Sequence, residues 1–459
     1  MIDGLKPYAA RRDSGLPWLG ELPAHWPALR LKTLVSNVVH QAERVLPDDY
    51  YIALEHVESW TGRIKESSAA AVEGQVKRFR AGDLLFGKLR PYLAKVARPS
   101  RPGVCVGEFL VLRPTVAEIS GAYLEYLLRS APFIAVVNSS TFGGKIPRAG
   151  WTLVGSFRVP YPPLDEQAAI VRFLDHADRR IRRYIRAKKK LIALLNEQKQ
   201  AVLEAVLASA ASGSSNRLRV RLKHIAVIQT GITLGKNYGK TPLIERPYLR
   251  VANVKAGRID LSRIKTVRVP EAEAQRSTLR AGDVLMTEGG DRDKLGRGCV
   301  WNGEIPDCLH QNHIFAVRPD SRFLLPPFLV ACMASRAGRD YFEMTAKQTT
   351  NLAATNSATV GNLPLVLPPV DLQAALLKRI EERLENAEAA ERRALHEVEL
   401  LIEYRNRLIA DLVTGHLDVR DAAKRLPEES AEIEGLEADE EAAESIEDLE
   451  EPIAEEAEA

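Results

Sequence analysis

At 459 residues the chain is too long to close around one core, which points to two or three domains. Hydrophobic content of 45% and charged content of 27% suit an ordinary folded protein. No apolar run reaches the ~18 residues of a membrane span and no leader-like opening occurs, so a cytoplasmic protein without a membrane partner is expected. Cys105, Cys299, Cys308 and Cys332 include no C-x-x-C pair, which argues against a zinc site or a disulfide framework.

In chain order, residues 1–28 form an opening segment. From residue 29 short β-like runs alternate with turns: Tyr50–Val57, then DLLFGKL from Asp83, then EFLVLRP from Glu108. A helical stretch from Ala122 to Val137 leads to a polar loop, SSTFGGKIPRAGW, and a short strand ends at Pro162-Pro163. From Leu164 to about Ala208 no Pro or Gly occurs. Apolar residues there step by four and three: Ile170, Leu174, Ala177, Ile181, Tyr184, Leu191, Leu195 and Val202.

The plan then repeats. Leu29–Lys32 matches Val220–Lys223, and Tyr51–Leu54 matches Tyr248–Val251. The phrase Arg-Ala-Gly-Asp recurs at 80–83 and 280–283. Phe109–Pro114 matches Ile314–Pro319, and Pro162–Gln167 matches Pro368–Gln373. The offsets drift from 191 through 197, 200 and 205 to 206, which small loop insertions explain and chance does not. The second copy ends in its own stripe, Leu377, Ile380, Leu384, Ala387, Ala394, Val398, Leu401, Leu408 and Leu412, with Gly415 placed to stop the helix.

Two copies of an α+β unit are therefore expected, each followed by a helix of about 45 residues, or roughly 65–70 Å. A stripe that long needs a partner helix, and the other copy supplies one. The second helix must return, so two long antiparallel coiled-coil helices would separate two similar α/β domains about a pseudo-two-fold axis. The segments are 1–28, 29–161, 162–212, 213–367, 368–418 and an acidic tail, 419–459, read as disordered. Residues 427–459 hold 16 acidic and no basic residues; without them 64 basic stand against 45 acidic residues, a net of +19. A body so basic points first to nucleic acid. The tail serves either to solubilise the chain or to mimic DNA and screen that body.

The plan and its wording resemble the specificity subunit of type I restriction-modification systems. Asp13–Trp26 (DSGLPWLGELPAHW) is similar to that family's opening segment. Pro-Pro-Leu-Asp-Glu-Gln at the first helix start matches its central conserved region, and Leu408–Val419 (LIADLVTGHLDV) its distal one. GDLLFGKLRPYLAKV resembles a phrase of its target recognition domains. Leu372 departs from the Glu usual at the second helix start, and the acidic tail lies outside the family pattern. The resemblance implies two target recognition domains, each reading half of a split double-stranded DNA site, with the helices setting the interval. It also implies two methyltransferase subunits carrying S-adenosylmethionine, and restriction/translocase subunits using ATP and Mg²⁺. The chain itself would hold no cofactor and perform no chemistry. The rival reading is a coiled-coil adaptor that binds no DNA.

The motifs agree with a reader. Adenine methylation uses an [ND]-P-P-[YFW] clamp, and neither that nor a cofactor turn occurs. Gly235–Thr241 misses the P-loop spacing by one residue. No H-E-x-x-H is present, and His310 and His313 lack further ligands at metal spacing. Candidate catalytic and metal residues are therefore none. Trp18, Trp26 and Trp151 read as packing residues.

DNA is contacted by cations and hydroxyls at phosphates, by Arg or Lys at guanine and by Asn or Gln at adenine. Candidates in copy one are Lys88, Arg90, Tyr92, Lys95 and Arg98, then Ser140, Thr141, Gly143, Lys145 and Arg148 of the polar loop. In copy two they are Thr287, Arg292, Lys294, Arg297, Lys347, Gln348, Thr349, Thr350 and Asn351. Asp291 and Asp293 would repel phosphates but can accept from cytosine N4. Candidate partner-helix residues are Ile170, Leu174, Ile181, Leu191, Leu195, Leu377, Leu384, Val398 and Leu408. Eight cations between Arg179 and Lys190 cannot share one face, so part is solvated and part faces spacer phosphates or an acidic partner.

Overall fold

The computed structural model describes residues 5–42, 49–65, 76–141, 147–213, 217–255, 257–290, 295–348 and 353–427. The described chain forms two compact units. One holds the residues up to Lys189 and the return from Leu395; the other runs Lys190–Ala394. Both divisions fall inside the long helices, not at the segment borders read from the sequence.

In the first unit a four-stranded antiparallel sheet runs in the order Val35–Asn37, Phe109–Pro114, Leu84–Gly87, Val96–Ala97. A second sheet orders Gln41–Ala42, Val76–Phe79, Gly103–Val106 and Tyr51–Ile52, the last two parallel. Ala28–Arg30 pairs with Arg158–Pro160 and closes the domain just before the double proline.

The second unit repeats this register. Its antiparallel sheet runs Ala226–Thr230, Ile314–Pro319, Val284–Thr287, Gly298–Val300. Ile244–Leu249 again lies parallel to the later strand Leu309–His310, and Leu218–Arg221 pairs with Pro364–Leu367. The duplication is thus one of strand order and hydrogen-bond register as well as of words.

Each unit closes its domain onto a long helix for a sequence-level reason. The prolines end the closing strand, and acids follow in the first turn, Asp165 and Glu166 in one helix (Leu164–Gly213) and Asp371 in the other (Val370–Val413), where the dipole favours them. In the first unit Ile170, Phe173, Leu174 and Ala177 share a core with Leu408, Ile409, Leu412 and Val413. Lys188 Nζ meets Glu397 at 2.5 Å, so the segments run antiparallel. The second unit has the same sense, with Lys199 Nζ 2.5 Å from Glu391 and Val206 in one core with Leu376. Gly415 (φ 72°) stops the second helix in the left-handed region, with the His416 N–H donating to the Asp411 carbonyl at 2.8 Å.

Two expectations need correction. Leu191 is 39% exposed, and Tyr184 is exposed too; Ile192, at 7%, lies inside instead. The buried stripe steps by four after Ile181, through half-buried Ile185 to Lys188 and Ile192, so it drifts by one residue from a strict heptad. Near the second helix start, Leu376 is buried and Leu377 only partly so, while Leu384 and Val398 are half-buried. The tail does not begin at 419: Val419 and Ala423 are buried in the first core, and Arg420–Lys424 is helical. From residue 428 on the tail lies outside the described residues.

Candidate nucleic-acid interface

The repeated Arg-Ala-Gly-Asp phrase has a structural function in each copy. Gly82 (φ 83°) and Gly282 (φ 93°) turn the chain in the left-handed region. Asp83 caps the turn by accepting the Arg80 N–H at 2.7 Å, and takes a two-pronged ion pair from Arg113 at 2.7 and 2.6 Å. Asp283 does the same with the Arg280 N–H at 2.8 Å and Arg318 at 2.7 Å for both prongs. The Arg-Pro ending the neighbouring strand is the partner the phrase requires. This clamp fixes the strand that follows the turn, and with it the residue where that strand leaves the sheet.

In copy one that residue is Lys88. Its N–H donates to the Glu108 carbonyl at 2.9 Å, and its own carbonyl accepts from the Ala149 N–H at 2.9 Å. The Arg90 N–H donates to the Pro147 carbonyl, and Leu89 bridges to Arg148. The strand end and the polar loop, sixty residues apart in sequence, thus form one corner. Glu108 sits between its cations, 3.8 Å from Lys88 Nζ and 2.5 Å from Arg148 Nη2. Arg90 holds a left-handed backbone (φ 47°) and is exposed, as are Tyr92 and Arg148. The other candidates are engaged within the domain. Lys95 Nζ donates to the Leu54 carbonyl at 2.9 Å, Arg98 pairs with Glu125 at 3.2 Å, and the Ser140 and Thr141 hydroxyls donate to the carbonyls of Val136 and Asn138. Gly143 and Lys145 lie outside the described residues.

Copy two assembles the same corner. The Glu288 N–H donates to the His313 carbonyl at 2.8 Å, and the Glu288 carbonyl accepts from the Thr355 N–H at 2.8 Å. Gly289–Gly290 and Lys347–Gln348 both pair with Ala353–Ala354, bringing the segments after Thr287 and around Lys347 into one small sheet. Lys347 is exposed and Arg297 half-buried. Arg292, Lys294, Thr349, Thr350, Asn351, Asp291 and Asp293 lie outside the described residues, as does the side chain of Gln348.

Sequence reasoning missed Glu108, Glu288 and the tie of His313 to Glu288. The signal was available: each partner immediately precedes the repeated Phe109 or Ile314 strand, which must pair with the strand after the turn. His313 Nδ1 lies 2.6 Å from a Glu288 carboxylate oxygen, while His310 is fully buried and faces the carbonyls of Ser277 and Gln229. The two histidines therefore do not converge. Burial pushes all four thiols up to about 12, so none is a thiolate at neutral pH.

The helix starts carry a second matched set. Gln167 accepts the Ser120 N–H and donates to the carbonyls of Glu118 and Pro162. Gln373 accepts the Leu325 N–H and donates to those of Phe323 and Pro368. Beside them the copies differ. Buried Glu166 accepts from Tyr8 at 2.8 Å and Trp26 at 2.9 Å, meets His25 Nε2 at 2.7 Å and faces Arg420 at 3.6 Å. Leu372 packs on the apolar core of the second unit. Of the helix cations, Arg182 pairs with Asp178 and Lys188 with Glu397, while Arg180 and Arg183 stand exposed.

Two like domains, each closed onto a long helix by a buried glutamine and each presenting one variable corner, define a duplicated recognition scaffold. No protein-family model matches the chain. The EcoKI type I restriction enzyme specificity subunit of Escherichia coli K12 is 22% identical over 410 residues, 81% of this chain and 85% of that one. The StySPI specificity subunit of Salmonella potsdam is 23% identical over 403 residues, with the same coverage. A solved chain from work on complex assembly in a type I R-M system is 21% identical and shares the fold, with a TM-score of 0.53 over 85% of this chain and 98% of that one. Over about four fifths of its length the chain is thus similar to type I restriction enzyme specificity subunits. Among the described residues no helix is long and apolar enough to cross a membrane.

Proposed function

We propose that each copy reads one half of a bipartite double-stranded DNA site, and that the long helices set the interval between the halves. The same helices would dock two methyltransferase subunits. S-adenosylmethionine, ATP and Mg²⁺ belong in this reading to those subunits and to the restriction/translocase subunits, and this chain directs chemistry without performing it. The observation that carries the reading is the matched corner. One backbone frame recurs in both copies, and the residues on it diverge: Lys88, Glu108 and Arg148 against Glu288, His313 and Ala354, with Arg148 and His313 exposed and the other four half-buried. Two readers of different half-sites need such a constant frame with variable reading groups.

The test is to map methylated adenines in cells that carry this chain with its methyltransferase partner. A bipartite motif is expected, and exchanging residues 220–365 for those of a relative should alter one half only. An undivided or palindromic motif would sink the two-reader assignment. The non-DNA-binding adaptor predicts no DNA affinity, whereas the reader predicts affinity that falls steeply with salt.

A further inference from the structure

We propose that reversed charge at this one equivalent corner sets which base edge each copy accepts. Lys88 and Arg148 address the guanine O6/N7 edge in one half-site, and Glu288 addresses the cytosine N4 amino group in the other. The inference rests on the reading that the chain recognises DNA, and adds the residues and bases involved.

The equivalence is one of backbone, not only of alignment. Lys88 and Glu288 each donate to the residue before the neighbouring repeated strand, Glu108 or His313. Each then accepts from the residue that begins the descent to the closing strand, Ala149 or Thr355. A side chain at 88 therefore leaves its domain from the same place as a side chain at 288. At these three positions copy one carries two cations and an acid; copy two carries an acid, a histidine and the methyl group of Ala354.

The surroundings suit contact with a base edge better than with a phosphate. Arg148 is held in one direction by Glu108, with its side chain 54% exposed. A guanidinium braced by a carboxylate keeps further N–H donors for the two acceptors of guanine. In copy two a phosphate partner is disfavoured, because Glu288 is itself anionic. A carboxylate on a DNA-facing surface is tolerated where it meets a donor, and cytosine N4 is the donor a carboxylate reads in the major groove. His313 holds Glu288 from one side, and Gly289–Gly290 with Ala353–Ala354 leave the surface beside it low enough for close approach. The alternative is a pair of surface ion pairs, each of little consequence.

The test uses the full chain in complex with its methyltransferase partner. Genome-wide methylated sites are mapped for the parent chain, Arg148→Gln, Lys88→Gln and Glu288→Gln. The parent should give a bipartite motif. Arg148→Gln or Lys88→Gln should relax a G·C position in one half by about ten- to a hundredfold, and Glu288→Gln a G·C position in the other half by a similar factor. Variants as stringent as the parent at every position, or relaxation confined to A·T pairs, would overturn the inference while leaving the two-reader model intact. An undivided motif from the parent would instead remove the model beneath it. Should a variant methylate too little to map, its purified complex is titrated with duplexes carrying each base pair of that half-site substituted in turn. An affinity profile identical to the parent's counts against the assignment, and a flattened G·C position supports it.

Discussion

Asp83 and Arg113 face each other through two parallel hydrogen bonds of 2.7 and 2.6 Å, with the carboxylate almost wholly buried and the guanidinium partly so. The pair joins the turn to the strand on which the candidate corner depends. Asp83→Asn keeps the shape but removes the charge, and should lower stability by about 2 kcal/mol. Denaturant unfolding of the whole chain would read this, and Asp283→Asn should cost a similar amount through Arg318. No change for either variant would mean that the clamp is incidental to the turn.

Glu166 gathers the opening segment onto the first helix start. Glu166→Gln leaves one oxygen acceptor for donors from Tyr8, His25 and Trp26, and removes the charge facing Arg420. Hydrogen exchange over residues 8–26 and 418–426 should quicken, with a loss of about 2 kcal/mol. The reverse experiment, Leu372→Glu, puts a carboxylate onto an apolar core without those partners and should destabilise the second unit by a few kcal/mol.

His310 gives the second unit a pH dependence. Burial lowers its pKa from the ordinary imidazole value, although hydrogen bonding to the Gln229 and Ser277 carbonyls opposes this. The unfolded chain then takes up the proton first as pH falls. The contribution is fully present above the unfolded value, about 6.5, and is lost as pH falls through that value toward the lower folded one. Unfolding midpoints measured between about pH 5 and pH 8 should decline on the acid side. His310→Cys, which installs the residue that copy one carries at Cys105, should flatten that decline.

Arg405 occupies the buried stripe of the second long helix at 7% exposure, and its Nε is buried without a hydrogen-bond partner. Burial lowers its pKa, and Asp178 and Glu58 offset this only in part. Replacing such a buried cation by an apolar side chain of like length is often neutral or stabilising. Arg405→Met should leave thermal stability unchanged or raise it; a drop of several degrees would show that the neighbouring acids need this cation.

Much of the architecture was legible because it was written twice. The repeats at Tyr51 and Tyr248, and at Phe109 and Ile314, fall on strands with equivalent pairing in both copies. The long helices were visible as proline-free stripes. The phase of the first stripe was not, because Tyr184 and Leu191 are as apolar as Ile185 and Ile192, and a spacing of three or four fits either pair. The corner was legible by halves. Lys88 and Arg148 were candidates as cations, but their meeting at Glu108 depends on strand register. Composition also failed to reveal that Lys95, Ser140 and Thr141 are engaged with backbone carbonyls.

The discontinuity of the first unit bears on how the chain is made. Its core needs Leu408, Leu412, Val413 and Val419, which leave the ribosome long after Ile170 and Phe173. Among the described residues the second unit is one stretch of sequence, Lys190–Ala394. On emergence from the exit tunnel the middle of the polypeptide can therefore mature before its beginning is finished. Through most of translation the apolar faces of Ile170, Phe173 and Leu174 lack the helix that covers them, a window in which a nascent chain is open to aggregation or to chaperone capture.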